Sequence, residues 1–591
     1  MKIQPTFNFR IFNNKQSYEN QTISFTSLRT NNDIISFSAR RTNTNIDDRM
    51  SQYASELLKK YNFKQGQPLY LKGDAYYLPF MEALSKEAYK MKSGHVHIEV
   101  IEPQLEKLKE KYNKKELFEY QKQRLEEYKE AGALFIEFDE TNDPYKKAKV
   151  FKKEALAEIA KTSTPIPQKI RSLFKLNPKE VLIDALDMKK GQPVVIFAER
   201  EHVPFIKKLL NFLYSRNKTE LVDINITDNN NKNEMMYGAD ELFEAIPKHK
   251  IQQVKEYYDK DVAWLRLYGK DPAMYEDVPN EKLTRYLNRN NSNEELNEYS
   301  AKLQAEVPWL VYNLPTVLSS IPAYPELAED KLQLIAKAYE DATKINRTGK
   351  LKEHIEALDY RAKKINELIQ KGYRTFRYIS VDEKTMLPDG KTDFEIKVSP
   401  KSIFNSARIE MPKYGHSTIC NIPTEEVFTA PQADTANGVL STTMPLSLNG
   451  KLIEGIKLTF KDGKIVDVHA DKNEDALKDF IQNNKNADRL GELALVANSP
   501  IAQTGRIFNS TLLDENASCH FALGNAYPDT VVGADRIDDY KEQKAYLEKN
   551  KINISPVHAD FMVGGKNVYI TAINDKTGDS IAVLKNDKFL L

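Results

Sequence analysis

Apolar and polar positions follow two different periods along this chain, and the places where one gives way to the other outline its organisation. In Met50-Ser-Gln-Tyr-Ala-Ser-Glu-Leu-Leu58 the apolar residues recur at helical spacing; Gly66-Gln-Pro68 then interrupts, and Leu69-Tyr-Leu71 is a short apolar run. Helix, turn and strand are expected in that order. Upstream of Asp47 neither period is sustained. Residues 1–46, rich in Asn, Ser, Thr and Gln with scattered Phe, read as a disordered tail.

The turn and strand are written a second time. Lys64-Gln-Gly-Gln-Pro-Leu-Tyr-Leu71 answers to Lys189-Lys-Gly-Gln-Pro-Val-Val-Ile196, and Leu78-Pro-Phe80 answers to Val203-Pro-Phe205 in the same register. With small gaps, Ala131-Gly-Ala-Leu-Phe-Ile-Glu-Phe138 and Asp143-Pro144 answer to Asp261-Val-Ala-Trp-Leu-Arg-Leu-Tyr268 and Asp271-Pro272. Two matches at one offset argue for duplication. Copies of about 125 residues are too long for solenoid repeats and fit tandem domains. Each alternates helices with short, buried-looking strands, the pattern of a mostly parallel sheet with crossover helices.

From about Glu326 to Lys371 the chain is charged and helical in spacing, as at Leu351, His354, Ile355, Leu358 and Ala362. Beyond Pro400, strands are separated by turns such as Asn449-Gly, Asp462-Gly and Gly564-Gly, and helices are few. The expected fold is a pair of tandem duplicated α/β domains followed by a mixed, strand-rich α+β catalytic domain. Its parts are the tail (1–46), the first copy (47–172), the second copy with a helical connector (173–400) and the catalytic domain (401–591). A length of 591 residues accommodates this at roughly 100 to 200 residues per domain.

Charge and cysteine content narrow the partners. Lys and Arg number 86 against 85 Asp and Glu, so no global field recommends nucleic acid or an anionic membrane. Two cysteines, Cys420 and Cys519, exclude a disulfide framework and fit a reducing compartment, so a cytoplasmic location is expected. No apolar run is long enough to cross a bilayer, and Met1 to Arg41 carries no export signal.

The chemistry gathers near the C-terminus. Glu426 lies in Asn421-Ile-Pro-Thr-Glu-Glu-Val-Phe-Thr-Ala-Pro431, Glu492 in Gly491-Glu-Leu-Ala, Glu515 and His520 in Asp514-Glu-Asn-Ala-Ser-Cys-His520, and His558 with Asp560 in Ser555-Pro-Val-His-Ala-Asp560. Carboxylates mixed with imidazoles suit a borderline divalent ion, and several carboxylates carry enough charge, with one possible bridge, for two. Glu425 and Glu426 are neighbours in a strand-like stretch, so they face opposite ways. Glu492 opens an apolar run, where a carboxylate is costly unless paired or metal-bound. Glu515 and His520 are five apart, too far for one face of a continuous helix, so they need different roles. His558 and Asp560 are separated by one residue and on a strand project from one face.

These stretches resemble the thermophilic metalloaminopeptidases of the aminopeptidase T and aminopeptidase S type, from about residue 175 to the end. Pro423-Thr-Glu-Glu-Val-Phe-Thr-Ala-Pro431 carries the resemblance most directly, and Asp514-Glu-Asn-Ala517, Gly524-Asn-Ala-Tyr527 and His558-Ala-Asp-Phe-Met562 follow in matching order and spacing. The resemblance implies that Glu426, Glu492, His520, His558 and Asp560 hold two divalent ions (zinc, cobalt, manganese or magnesium), with Glu492 as the bridge. It also implies Glu515 as general base, Tyr527 as a hydrogen-bond donor to the oxyanion, peptides with a free N-terminus as substrates, and a homodimer. Glu425 is left as a supporting or a surface group. The family carries one α/β domain of this kind, and Pro308-Trp-Leu and Leu314-Pro-Thr316 in the second copy are similar to it, so the first copy is the addition. Gln432 stands where many relatives have His after Ala-Pro, which touches substrate preference more than metal binding.

Other readings stay beside this one. Cys519, followed directly by His520, invites a thiol-nucleophile reading, but neighbours on a strand point apart and no activating pair is evident. His95, His97, His202, His249, His354, His416 and His469 lack carboxylate partners in motif spacing and read as structural or exposed. A non-catalytic peptide-binding or assembly protein with an inherited site, and a dinuclear amidohydrolase of small amides, are the rival functions. Phosphate-loop, dinucleotide, nucleophile-elbow and zinc-helix motifs are absent.

Overall fold

A computed structural model describes residues 44–147 and 177–591, less most of 317–349 and a scatter of short gaps. Nearly all of the expected tail, much of the helical connector and the Asn449-Gly turn fall outside the described residues.

The helix, turn and strand read at Met50–Leu71 form as expected. Helix Thr44–Lys60 buries Met50, Ala54 and Leu58, and strand Leu69–Asp74 follows. Gln67 closes the turn between them: its Oε1 accepts from the Lys64 N–H at 3.1 Å and its Nε2 donates to the Gly132 carbonyl at 2.9 Å. At the corresponding turn further along, Gln192 Oε1 accepts from the Lys189 N–H, and its Nε2 donates to the Asp261 carbonyl, both at 2.8 Å. Gly66 and Gly191 take left-handed φ values of +75° and +81° there, which only glycine adopts freely.

Both turns lead into parallel sheets of the same order. Leu69–Asp74 lies between Val96–Ile101 and Leu134–Phe138, with Leu69 opposite Val96 and Leu134. Val194–Ala198 lies between Val222–Ile226 and Ala263–Tyr268, with Val194 opposite Val222 and Ala263. The second sheet continues through Trp309–Asn313 to Asn421–Ile422, again in parallel. Helices Leu78–Lys90 and Val203–Phe212 follow the two central strands, with Pro79 and Pro204 in their first turns, where the missing N–H has no helical partner to lose.

The first unit packs onto the second through polar as well as apolar groups. Glu256 accepts from the backbone N–H groups of Glu119 and Tyr120 at 2.9 and 2.8 Å, and the Tyr120 and Tyr257 hydroxyls both donate to the buried Asp223. Leu105 and Leu108 join the core of the second unit.

Helix Lys350–Gln370 buries Leu351, Ile355, Leu358, Ala362, Ile365 and Ile369, the stripe its spacing predicts. Among the described residues the chain then builds two large antiparallel sheets and two two-stranded ones. One has eight strands, running from Lys464–His469 at one edge to Lys588–Phe589 at the other, with Pro388–Lys397 and Tyr373–Val381 at its centre. These central strands and Asn421–Ile422 lie on opposite sides of residue 400 from most of the sheet each joins, so the sheets interleave across that position. The other sheet has four strands in the order Glu426–Thr429, Leu490–Val496, His520–Gly524, His558–Met562. One of its faces is apolar and packs against the eight-stranded sheet, with the Phe521 ring 5.0 Å from Tyr378 and 5.3 Å from Phe394. Its other face carries the candidate chemistry. Among the described residues no helix is long and apolar enough to cross a membrane.

Candidate metal centre

Strand period and register together assemble the site. Successive side chains on a strand alternate between faces, so Val427, Leu493, Leu495, Phe521 and Phe561 point into the core while Glu426, Glu492, His520, His558 and Asp560 share the opposite face. Register then sets the spacing across strands: Ala522 lies opposite both Glu492 and Asp560, and Ala494 lies opposite both His520 and Phe428. The two alanines form a low floor between the charged groups. The register shifts between Leu490 and Glu492, at the edge of this regular stretch. Gly491 at that shift is crowded by backbone, since a Cβ there would stand 2.3 Å from the carbonyl oxygens of Gly524 and Asn525.

Two groups of donor atoms result: Glu426, Glu492 and His520, and Glu492, His558 and Asp560. His520 Nε2 is 3.0 Å from Glu426 Oε2 and 3.9 Å from Glu492 Oε1; His558 Nε2 is 3.0 Å from both Glu492 Oε2 and Asp560 Oδ1. Glu492 therefore turns one oxygen toward each imidazole. The other ring nitrogens are taken by backbone: His520 Nδ1 lies 3.0 Å from the Ser518 carbonyl and His558 Nδ1 2.6 Å from the Asn525 carbonyl. A carbonyl can only accept, so it holds each Nδ1 protonated and leaves Nε2 as the atom that faces the carboxylates, where it can carry a proton or give its lone pair to a metal ion.

Electrostatics agree with the donor chemistry. Glu492 is 5% exposed, and burial pushes its carboxyl up against the opposing contact with His558. Burial alone would lower the basicity of His520, but its contact with Glu426 and the charges of Glu492 and Asp560 outweigh this and raise it to about 10. Three clustered, mostly buried carboxylates call for cationic charge. Glu426 Oε2 is buried beside His520 without hydrogen-bond geometry, as two ligands of one ion would be. The residues present fit divalent metal.

Of the remaining candidates, Tyr527 is 39% exposed, with its ring 4.9 Å from His558 and 6.3 Å from Phe428, so it lies at the rim of the site and not in the core. Glu515 is half-buried at the start of the short turn Glu515–Ala517, which packs against the His558–Met562 strand; it belongs to neither donor group. Cys519 is buried, its thiol donates to the Val496 carbonyl, and burial pushes it up to about 12, which removes the nucleophile reading.

The structure chooses between the two alternatives for Glu425 and gives several of the other histidines structural partners. Glu425 is not a surface group: it is 3% exposed, with Lys344 Nζ at 3.4 Å and His354 Nε2 at 3.7 Å, and burial, opposed by Lys344 and Arg361, pushes its carboxyl up to about 7. The histidines outside the site also find carboxylates, as in His249 with Glu127 at 2.7 Å, His416 with Asp261 at 3.0 Å and His95 with Glu234 at 3.5 Å. Folding supplies these partners from more than a hundred residues away, beyond the reach of local spacing. The alanine floor, by contrast, had a sequence signal: Glu492-x-Ala494 and His520-x-Ala522 place small residues two positions from candidate donors on both strands.

The sequence model of the thermophilic metalloprotease (M29) family matches residues 46–177 and 180–589. The chain belongs to this family. As a metalloprotease it is a hydrolase that works with a metal ion. Aminopeptidase AmpS of Bacillus subtilis (strain 168) is 29% identical over 392 residues, which is 66% of this chain and 91% of the relative. Aminopeptidase T of Thermus thermophilus is 28% identical over 418 residues, 68% of this chain and 95% of the relative. The solved structure of wild-type AmpT from Thermus thermophilus superposes with a TM-score of 0.61 at 24% identity, covering 72% of this chain and 99% of that one, and shares the fold.

The alanine floor yields a direct test. Ala522→Leu is expected to abolish both metal binding and hydrolysis with the fold intact, because its branched side chain fills the space between Glu492 and Asp560. Metal analysis beside circular dichroism checks it; full metal content in a folded variant would mean that the space is not used.

Proposed function

We propose that this M29 enzyme is an aminopeptidase working with two divalent ions, one held by Glu426 and His520, the other by His558 and Asp560, with Glu492 shared between them. The observation that carries this reading is the division of the Glu492 carboxylate, one oxygen toward each histidine. When bound, such ions acidify water and polarise a carbonyl. The protein's part is to hold the imidazoles in one tautomer, to keep three carboxylates converged on a desolvated floor, and to supply Glu515 as acceptor of the attacking water's proton. Tyr527, at the exposed rim beside His558, donates its hydroxyl to the carbonyl oxygen as charge develops there. The mixed donor set admits zinc, cobalt, manganese or magnesium.

The substrates are peptides with a free N-terminus, and the assembly is a homodimer. The duplication belongs to the same proposal: residues 47–172 are a second copy of the α/β domain that relatives carry once. Equal strand order and register, the matched Gln67 and Gln192 turns, and separate family matches over 46–177 and 180–589 support it. A cytoplasmic location is supported by two free, buried cysteines.

Metal analysis of the purified protein and a panel of peptides, each offered free and N-acetylated, test the reading. About two ions per chain and release of amino acids from the free peptides alone are expected. Equal cleavage of acetylated substrates would make it an amidohydrolase or endopeptidase, and a fully loaded protein that cleaves nothing would make it a binding protein.

A further inference from the structure

We propose that Asn516 is a positioning residue for the reaction, its side-chain amide fixing Glu515 relative to Glu426. The inference rests on the reading of Glu515 as general base and Glu426 as metal ligand. Asn516 is 1% exposed and uses both ends of its amide: Oδ1 accepts from the Glu425 backbone N–H at 2.7 Å, and Nδ2 donates to the Leu512 carbonyl at 2.8 Å. The two partners fix which end is which, since one can only donate and the other only accept. One hydrogen bond thus joins the residue after Glu515 to the residue before Glu426, across 91 positions of chain.

Both ends of this tie are anchored. Glu425 is buried with Lys344 and His354 against its carboxylate, and His354 Nε2 lies 2.7 Å from the Thr424 carbonyl. On the other side of Glu515, the Asp514 carboxylate accepts from the Phe508 N–H at 2.8 Å and the Ser510 N–H at 3.1 Å. Glu515 therefore sits on a backbone gripped through both neighbours.

The physical need for such a grip is plain. A single short turn does not hold its own geometry, because the few hydrogen bonds it makes do not offset the order it requires. A general base works only within hydrogen-bond reach of the proton it takes, and a displacement of about 1 Å costs roughly 10²-fold. Alanine at position 516 removes the tie and leaves the Glu425 N–H without its partner, so the turn can shift against the Glu426 strand. Asn516 has no role in donating to the metal or accepting the proton, so its loss acts through Glu515.

A double-mutant cycle tests this on the full-length, metal-loaded protein, comparing wild type, Asn516→Ala, Glu515→Gln and the pair. Asn516→Ala is expected to lower kcat by about 10- to 100-fold, with KM within about threefold of wild type and metal content unchanged. Glu515→Gln is expected to lose about two to four orders of magnitude with both metals retained. The decisive comparison is the pair, which should be no slower than Glu515→Gln alone, because a misplaced base costs nothing once the base is gone. If Asn516→Ala slows the Glu515→Gln enzyme by the same factor as it slows wild type, Asn516 is merely structural and the inference fails. Near-normal kcat in Asn516→Ala overturns it equally, while leaving the function proposed above intact. Near-normal kcat in Glu515→Gln overturns the base assignment and this inference together. Should Asn516→Ala not fold, Asn516→Ser, which keeps a hydroxyl for one of the two bonds, takes its place in the same cycle.

Discussion

Glu492→Gln loses hydrolysis and metal together while the protein stays folded. The carboxylate lies on the face opposite the core, on a strand whose every residue is buried, with one oxygen toward His520 and the other toward His558. An amide of the same shape packs equally well but carries no charge, and its NH2 end cannot ligate as the oxygen did. Neutralising one partner of a buried charged pair costs about 3–5 kcal/mol, which is roughly two to four orders of magnitude in a binding constant. Metal analysis after dialysis, with turnover measured on the same sample, reads both effects. A variant that retains two ions and near-normal turnover would show that Glu492 is not the bridge.

Removal of residues 1–172 leaves an enzyme that still binds metal and cleaves short peptides but is less stable and less soluble. All five proposed ligands, Glu515 and Tyr527 lie beyond the cut. The first unit can shape access, length preference or assembly, but it brings none of these groups. Its removal nonetheless strips partners from buried groups: Asp223 keeps Tyr257 but loses Tyr120, Glu256 loses two backbone donors, and the surface beneath Leu105 and Leu108 is uncovered. Each orphaned buried polar group costs about 1–3 kcal/mol, and the bared apolar area favours association. Thermal unfolding, metal content and dipeptide hydrolysis separate the two consequences. A soluble, metal-loaded truncation without activity on a dipeptide would mean that the first unit completes the active site.

What the sequence by itself determined is whatever depends on neighbours a few residues apart. The Gly66-Gln-Pro and Gly191-Gln-Pro turns, the buried stripe of helix Lys350–Gln370 and the shared face of His558 and Asp560 all follow from backbone period and turn chemistry, which act locally. The membership of Glu426, Glu492, His520, His558 and Asp560 in one site was legible too, because their short motifs resemble those of a family.

Their geometry was not legible. That Glu492 divides its oxygens between two histidines depends on how its strand pairs with His520–Gly524 and how that strand pairs with His558–Met562, and register is set by whole sheets packing together. The burial of Glu425 against Lys344 and His354 escaped local reading for the same reason, as did the tie from Asn516 to the Glu425 backbone. Charges and hydrogen-bonding groups find partners wherever the fold brings them, and spacing along the chain carries no trace of a contact made across 91 residues. Tertiary structure alone decided how the oxygens of Glu426 and Glu492 meet the two imidazoles, what surrounds the buried Glu425, and what ties the turn at Glu515 to its backbone.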